Sequence, residues 1–415
     1  MADFASAAWP SRLQDYHISE KYGLLLQNPL TRLPSYFDEW NEIALHLDDS
    51  ISAGNIREKV ARLSVLDHEK LASHRELRLA HLMLTGIAAG YVWGKGPKNV
   101  PQVLPKAVAL PLWRVSEKLG IQPIISPCSW TLANWKVKDQ SKPISDIHNR
   151  DLIVHIPGGE TTVKFFVVAQ QVELAVGPVL GKVIEAKQAI QDGDGEKLLA
   201  ILRMMDFSLK EMESNLDKVQ EFCDPDVFFN VSRSYMMGWE SKPFKALGYD
   251  GLVYQGISAE PKRFMGGSAA QSPAIPIMDA ILGVKHGKEN EKFHEDMRRY
   301  MLPMHRRLIM DLRKGRSLKD FVDVCSDSAI KQAYNSCVDS LTSFRSCHLK
   351  IVVRFINVPL RRAQTKEEEN KVFDEGTAGS EIITYLKSTR TATKESILQS
   401  SPNLMIEVKT PTDRV

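Results

Sequence analysis

One histidine is centred on a broad apolar stripe of a long helical pattern. His348 lies in residues 337–356, where apolar side chains recur one and two turns to either side of it. An imidazole nitrogen in an apolar helical groove is the donor that a haem iron requires, and Arg345, one turn earlier, could pair with a propionate. A hydrogen-bonded core histidine is the alternative, and it is the simpler interpretation of this helix alone. The apolar positions are Leu341, Phe344, Ile351, Val352 and Phe355.

A second group combines aromatic side chains with an arginine. In residues 226–238, Phe229 and Arg233 are four positions apart and share a helical face, and Phe228 lies beside that face. Burying an arginine without an anion is costly, and a substrate carboxylate would satisfy it through two parallel hydrogen bonds. A phenyl ring could also stack on a planar substrate. An internal salt bridge is the alternative, and it is the simpler interpretation without further information.

Three further segments each allow an ordinary structural interpretation beside a functional one. Phe165-Phe166 heads an apolar helix and is typical of a core, although it could line a pocket. The small residues of 263–271 permit close approach of the backbone to a flat ligand, or form a surface turn. Residues 376–380 could close over a pocket or serve as a linker. None of these segments is specific alone.

The elements that must position these residues are mainly helical. Periodicity predicts that the fold class is mainly α, with helices over 163–189, bent at Gly177-Pro178, and over 195–222. Asp224-Pro225 is a helix start, and Gly238 should stop that helix. The best strand signal is 151–156, followed by Pro-Gly-Gly. Further helices are predicted at 56–63, 71–89, 276–283, 289–313 and 327–357.

We place the domain boundary after this strand signal. The predicted organisation is a flexible arm at 1–15, a small α domain at 16–157, a large α domain at 158–387 and a C-terminal tail at 388–415. A length of 415 residues is ample for two domains with sizeable cores.

Composition excludes several classes of protein. The 54 basic and 51 acidic side chains give a net charge of +3, which argues against a nucleic-acid binder. Five scattered cysteines without a CxxC pair predict neither a disulfide framework nor a zinc site. The N-terminus lacks a signal-peptide pattern, and polar residues interrupt the longest apolar stretch, 165–184, so we expect a cytoplasmic protein without a membrane span. P-loop, HExxH and GxSxG motifs do not occur.

Taken in order, these segments resemble the indoleamine 2,3-dioxygenase family from about Tyr16 to Lys394. The resemblance is carried by Tyr16-His-Ile-Ser, 27–34, 91–96, 132–135, Phe165-Phe166, Phe228-Phe229, Arg233, Gly238-Trp239, 251–254, 266–272, 297–301, Arg345-Ser-Cys-His348 and Gly376-Thr377.

The resemblance implies a small helical domain packed over a larger all-α domain, with haem b between them. It implies that His348 is the proximal ligand of the haem iron and that Arg345 and Asp279 bind or support the propionates. It also implies a loop over the haem edge, formed by Gly267, Ser268 and Ala269, in which Ser268 and Ala269 would also contact substrate.

The resemblance further implies a distal pocket and a reaction. Phe165 and Phe228 would line the pocket, with Phe228 on the indole, and Arg233 would hold the substrate carboxylate. Thr131 and Thr377 would also contact substrate, Thr377 at its amino-acid end. The family reaction opens the indole 2,3-bond of L-tryptophan with both atoms of O₂, giving N-formylkynurenine, the first step of the kynurenine route. An electron donor would keep the haem ferrous.

The sequence departs from the family pattern at several pocket positions. Ala169 stands where some members carry a serine, so catalysis would rest on orientation of the indole rather than on a side-chain hydroxyl. Pro127 replaces a tyrosine, Trp130 a small cysteine and Thr131 a valine, and Trp130 would add bulk if it faced the pocket. Ala378 breaks a Gly-Thr-Gly-Gly pattern and would slow closure of that segment.

Three functions therefore stay open at this point. The first is a monomeric dioxygenase that cleaves tryptophan. The second is an O₂-binding protein with little turnover, because some molluscan relatives of the family are myoglobins. The third is a low-efficiency paralogue with a regulatory role. Retention of Phe165, Phe228 and Arg233 together favours the enzyme, since an oxygen store needs no carboxylate clamp.

Overall fold

Almost all of the regular secondary structure in the described residues is helical, which confirms the predicted class, mainly α. The computed structural model describes residues 12–364 and 382–398. The predicted sites at Thr377 and Ala378 lie outside these residues. The α-helices are α1 (Asp38–Leu45), α2 (Leu47–Ser52), α3 (Ile56–Ala61), α4 (His74–Trp93), α5 (Lys106–Leu119), α6 (Pro127–Trp130), α7 (Gly159–Asp192), α8 (Gly195–Asp217), α9 (Val219–Phe222), α10 (Pro225–Asn230), α11 (Lys242–Ala246), α12 (Ala274–Leu282), α13 (Lys288–Arg298), α14 (Pro303–Leu312), α15 (Leu318–Val324), α16 (Ser328–Val352), α17 (Val358–Gln364) and α18 (Ile382–Lys394).

Tighter or wider turns supplement these helices. A π-helical turn, Val353–Asn357, joins α16 to α17. The 3₁₀ turns are Leu13–Tyr16, Ser35–Phe37, His68–Lys70, Pro97–Asn99, Ser232–Met236 and Ala269–Gln271.

Strands in the described residues are two residues long. β1 (Val103–Leu104) pairs in parallel with β4 (Val253–Tyr254), and β2 (Lys136–Val137) pairs antiparallel with β3 (Arg150–Asp151).

The strand predicted over 151–156 is therefore wrong beyond Asp151. Its backbone is satisfied by a side chain instead of a ladder. The Asn134 Oδ1 atom accepts hydrogen bonds from the backbone N–H groups of Ile153 and Val154, each at 2.9 Å, and Asn134 Nδ2 donates to the Val154 carbonyl at 2.9 Å. An apolar run can be buried as a loop when a side-chain amide replaces the missing strand partner.

The helix predictions were confirmed in type but differ at several ends. Helix α7 begins at Gly159, earlier than predicted, and continues without a break through Gly177 and Pro178. The pattern over 195–222 is divided into α8 and α9, and that over 289–313 into α13 and α14, because Pro303 starts a new helix. Helix α18 runs across residue 388, where the tail was predicted to begin.

Helix α7 is long and apolar because it forms the centre of the fold. It is long and apolar enough to cross a membrane, but 61 % of its most apolar stretch is buried inside the protein. Helix α8, the next helix in the chain, packs along α7, and α16 packs along α8. This burial is that of a core helix.

Two apolar cores meet at the helix that carries His348. The first surrounds α4 and α5, and the second surrounds α7, α8, α12, α14 and α16. Phe344, one turn before His348, belongs to the second core, whereas Ile351 and Phe355, after it, belong to the first. His348 therefore lies where the two cores join, and ligand-binding sites are often found at such junctions.

Candidate functional site

The imidazole of His348 is held near the end of α16 without a hydrogen-bond partner among the described residues. Helix α16 is started by Asp327, whose side chain accepts from the backbone N–H of Ala329, and it is anchored by a buried face that includes Leu341 and Phe344. Burial, with a smaller contribution from the nearby Arg345 charge, lowers the pKa of His348 to about 4. The imidazole is therefore neutral at neutral pH, with a lone pair available to a metal.

A buried ion pair stands one turn before this histidine. Arg345 Nη2 lies 2.7 Å from Asp279 Oδ2 on α12, and their side chains are 8 % and 4 % exposed. His286 Nε2 lies 3.0 Å from the same oxygen, and Arg345 Nη1 donates to the Thr393 hydroxyl on α18. Burial alone would raise the pKa of Asp279, but Arg345 and His286 outweigh it and hold that pKa well below its usual range. Helices α12 and α18 are thus tied to α16 beside His348, and His286 is tied to α12 through the same carboxylate.

Aromatic rings from three segments of the chain pack against one another. The ring centroids of Phe165 on α7 and Phe228 on α10 are 4.7 Å apart, and Phe228 lies 5.8 Å from Phe355 in the π-helical turn. Phe355 is two turns beyond His348 on the same stripe. The structure therefore brings Phe165 and Phe228 together and places Phe228 against Phe355; their role in a pocket stays a prediction. It adds Phe355 to the site, which the sequence showed only as a stripe position.

Arg233, which follows Phe228 and Phe229 in the chain, lies in a 3₁₀ turn rather than in an α-helix. Helix α10 starts at Asp224-Pro225 as predicted, with the Asp224 side chain accepting from Asp226 and Val227, but it ends at Asn230 instead of Gly238. The tighter winding of Ser232–Met236 follows it.

The Arg233 side chain is deeply buried and remains charged. The residue is 1 % exposed, and its guanidinium carbon lies 5.5 Å from the centroid of Phe229. Burial lowers the pKa of Arg233 to about 10, so the guanidinium is still protonated at neutral pH. A buried cation next to aromatic rings is suited to a planar ligand that carries an anionic group.

A glycine contact fixes Arg233 relative to Phe165. Gly158 has a φ of +116°, and an added Cβ would lie 2.2 Å from Thr162 Oγ1 and 2.4 Å from Ser232 Oγ. Only glycine fits there. Thr162 and Ser232 consequently approach to 2.5 Å between their hydroxyl oxygens. Because Thr162 is one turn before Phe165 and Ser232 adjoins Arg233, this contact sets the two site segments against each other.

The loop of small residues docks on the chain just after Arg233. The backbone N–H of Gly267 donates to the Met236 carbonyl at 2.9 Å. An added Cβ at Gly238 would lie 2.3 Å from the Gly266 nitrogen, so two backbones touch here. The Ser268 side chain caps the short turn Ala269–Gln271. The close approach predicted for this loop is thus made to Gly238, and its place over a cofactor edge stays a prediction.

Trp130 does not lie with the Phe165–Phe228 pair. Its indole N–H donates to the Thr85 hydroxyl at 3.0 Å, and its ring centroid lies 5.6 Å from that of Phe166. The residue is 1 % exposed. The bulk of this tryptophan therefore fills the space between α4 and Phe166. Thr131, also buried, follows it at the end of α6.

The described residues contain no cluster of three or more histidine, cysteine or acidic side chains that could hold a metal ion.

Comparison with known proteins gives the family. The sequence profile of the family described as "Indoleamine 2,3-dioxygenase" matches residues 12–396. The chain is 37 % identical over 393 residues to indoleamine 2,3-dioxygenase 2 of Mus musculus, covering 94 % of this chain and 96 % of that one. It is 36 % identical over 397 residues to indoleamine 2,3-dioxygenase 2 of Homo sapiens, with 94 % and 97 % covered.

A relative with a different name matches almost as well. The chain is 34 % identical over 389 residues to a protein named myoglobin from Haliotis diversicolor, covering 92 % of this chain and 98 % of that one. The profile match and the identities extend over nearly the whole length of the sequence. This chain belongs to the indoleamine 2,3-dioxygenase family.

Proposed function

We propose that this chain is a haem-dependent dioxygenase that opens the indole 2,3-bond of L-tryptophan with O₂ and forms N-formylkynurenine. The observation that carries the proposal is the buried Arg233 guanidinium, whose carbon lies 5.5 Å from the ring centroid of Phe229. The preceding residue on α10, Phe228, packs against Phe165 and against Phe355, which follows His348 on the apolar stripe. Family membership supports it, as do relatives named indoleamine 2,3-dioxygenase.

The residues present fit a haem. His348 offers an imidazole that is neutral, held on a rigid helix and without a hydrogen-bond partner among the residues described. The rings of Phe165, Phe228 and Phe355 supply an apolar wall. Arg345 has further N–H donors besides those on Asp279 and Thr393, and these suit a propionate. We expect His348 to hold the iron and Arg345 to hold a propionate.

The protein's own contribution is binding and orientation. Haem, when bound, supplies the iron centre at which O₂ is held and activated. Arg233, still protonated with a pKa of about 10, binds the substrate carboxylate. The rings of Phe165 and Phe228 place the indole and exclude water. Phe165, Ala169 and Phe228 carry no acid or base, so these side chains accelerate the reaction by positioning alone.

The direct test is product formation. Haem-loaded protein, kept ferrous by a chemical reductant, is assayed for N-formylkynurenine over a wide range of L-tryptophan concentrations. Turnover that saturates between micromolar and low millimolar substrate, the usual range for enzymes, is the expected result. A long-lived ferrous–O₂ spectrum without product would contradict the proposal.

An O₂-binding role is the second candidate, because the chain is similar over nearly its full length to a protein named myoglobin. The same assay separates the two roles, since an oxygen carrier binds O₂ reversibly and consumes no tryptophan. In that case the carboxylate clamp would have no function, and loss of Arg233 would leave O₂ binding unchanged.

A further inference from the structure

One buried carboxylate near the site is not used by the proposed reaction. Glu173 lies on α7, one turn beyond Ala169 and two turns beyond Phe165, and it is 4 % exposed. Its Oε1 atom accepts a hydrogen bond from the Ser272 hydroxyl. Its Oε2 atom is buried and has no hydrogen-bond partner among the residues that the structure describes. A half-satisfied buried carboxylate is costly, so its retention calls for a reason.

Within the described parts of the chain, no charged group acts on the Glu173 carboxylate, and its hydrogen-bonding neighbour is the hydroxyl of Ser272. Ser272 approaches from the loop, and Gly23 of the N-terminal segment covers the same helical turn: an added Cβ there would lie 2.9 Å from Gly177 Cα and 3.6 Å from the Glu173 carbonyl. Burial raises the pKa of Glu173 to about 7, against the hydrogen bond from Ser272, which lowers it. This bond is therefore stronger to the ionised carboxylate than to the acid.

Ser272 links the carboxylate to both sides of the site. The Ser272 oxygen also accepts from the backbone N–H of Ala274, the first residue of α12, at 3.2 Å. Helix α12 carries Asp279, the partner of Arg345. On the other side, the Ser272 backbone N–H donates to the carbonyl of Ala269, within the loop that Ser268 caps. Fixing Ser272 on α7 thus fixes the loop and the beginning of α12.

We propose that Glu173 is a positioning residue whose ionised carboxylate holds Ser272, and with it loop 266–272 and α12, against α7. The site consequently keeps its cofactor more firmly when Glu173 is charged than when it is protonated. This inference rests on the proposed function, because it takes the site between α7 and α16 to hold haem.

The same charge acts on stability with the opposite sign. An exposed glutamate ionises near pH 4.3, whereas Glu173 does so at about 7 in the folded protein. Between these values the folded state binds more protons than the unfolded state, so the free energy of unfolding falls as pH rises. Charging Glu173 therefore destabilises the fold while it strengthens the Ser272 tether. A merely structural side chain would move both quantities in the same direction.

The test measures haem release from the holoprotein between pH 6 and 8.5, by transfer to an excess of apomyoglobin. We expect wild-type release to slow about fivefold as pH rises, since a charge-assisted hydrogen bond contributes roughly twice as much as a neutral one. Glu173→Gln keeps an acceptor for Ser272 but no charge, so it should release haem at the wild-type pH 6 rate throughout. The pKa of His348 is about 4, so this ligand does not titrate in the range.

Two further variants complete the comparison. Ser272→Ala removes the donor, and we expect fast release with no dependence on pH; it carries the test if Glu173→Gln does not fold. Glu185→Gln is the matched control, because Glu185 lies on the same helix but is 39 % exposed and pairs with Lys182. It should keep the wild-type profile.

Thermal unfolding of the apoproteins is the second readout. The melting temperature of Glu173→Gln relative to wild type should rise from pH 6 to 8.5, while its haem release relative to wild type becomes faster. The proposal is overturned if Glu173→Gln keeps the wild-type pH profile of haem release, or if it loses stability and haem together at every pH. A wild-type chain that retains no haem would instead overturn the proposed function itself.

Discussion

The α16 side and the α7 side of the site handle charge differently. On the α16 side, Arg345 and His286 both bond to Asp279, and Arg345 also donates to Thr393, so α12 and α18 are tied to the helix of His348. On the α7 side, which comprises Phe165 of α7 and the segment from Phe228 to Arg233, the guanidinium carbon of Arg233 lies 5.5 Å from the ring centroid of Phe229. The first arrangement is a rigid support. The second is a surface on which a flat anionic molecule can be held.

The two sides should therefore differ in how they respond to mutation. A buried ionic network fails when one member is removed, because the remaining charge loses its partner. An aromatic wall loses only the contacts of the deleted side chain, unless that side chain carries the recognition. We therefore expect mutations on the α16 side to change cofactor binding and stability, and mutations on the α7 side to change substrate selection.

The largest expected effect is on the cofactor. His348→Ala should abolish stoichiometric haem retention, because the imidazole is the iron ligand that we assign to the protein. Haem content and the Soret band of the purified variant are the measurements. His46→Ala, at a histidine whose side chain is 60 % exposed, is the control. Normal haem content with an unchanged Soret band in His348→Ala would refute the ligand assignment.

The next effect is on stability. Asp279→Asn should lower the free energy of unfolding by about 3–5 kcal/mol, because it leaves the Arg345 guanidinium buried without its carboxylate. Denaturant titration of the apoprotein measures this loss. The double variant Asp279→Leu with Arg345→Met should regain part of it. A loss below about 1 kcal/mol, the value for a surface pair, would show that the network is not a support.

On the α7 side, Arg233→Gln should affect recognition. The kcat/KM for L-tryptophan should fall about 10- to 100-fold, since a hydrogen bond to a charged group contributes about 1.5–3 kcal/mol. Tryptamine, which lacks the carboxylate, should react equally poorly with wild type and variant. Arg114→Gln, at an exposed arginine on α5, is the control. Equal losses for both substrates would indicate that an internal acidic group, not the substrate, neutralises Arg233.

The smallest expected effect concerns Trp130. Trp130→Phe removes the hydrogen bond to Thr85 and should cost about 1 kcal/mol of stability. The KM for L-tryptophan should stay within about twofold of wild type, because the side chain of Trp130 packs on Phe166, outside the Phe165–Phe228 pair. A tenfold change in KM would mean that this tryptophan contacts the substrate after all.

Much of the fold could be predicted because apolar periodicity and helix starts are local signals. The helix start at Asp224-Pro225 depends on one side chain and one proline, and both act within a single turn. The helix of His348 could be predicted equally well, because its apolar stripe extends over several turns.

What the sequence missed depends on contacts between distant residues. The apolar pattern of 151–156 predicts a strand, but the Asn134 side chain forms the backbone hydrogen bonds that a partner strand would have formed. The 3₁₀ winding at Ser232 follows a contact with Thr162, 70 residues away. The pairing of Asp279 with Arg345 has no local signature either, and only the family resemblance suggested that both belong to the site. Thr377 lies outside the described residues, so its role stays a prediction.

The central claim is that Arg233 binds the carboxylate of L-tryptophan beside a haem held by His348. Titration of the haem spectrum with L-tryptophan tests it most directly. Haem-loaded wild type and Arg233→Gln are titrated in parallel, and the Soret band reports any ligand that settles beside the haem. We predict a saturable shift in wild type that needs at least about tenfold more L-tryptophan in the variant, as the loss of a charge-assisted contact requires. Absence of any shift in wild type, or identical titrations of both proteins, would contradict the account.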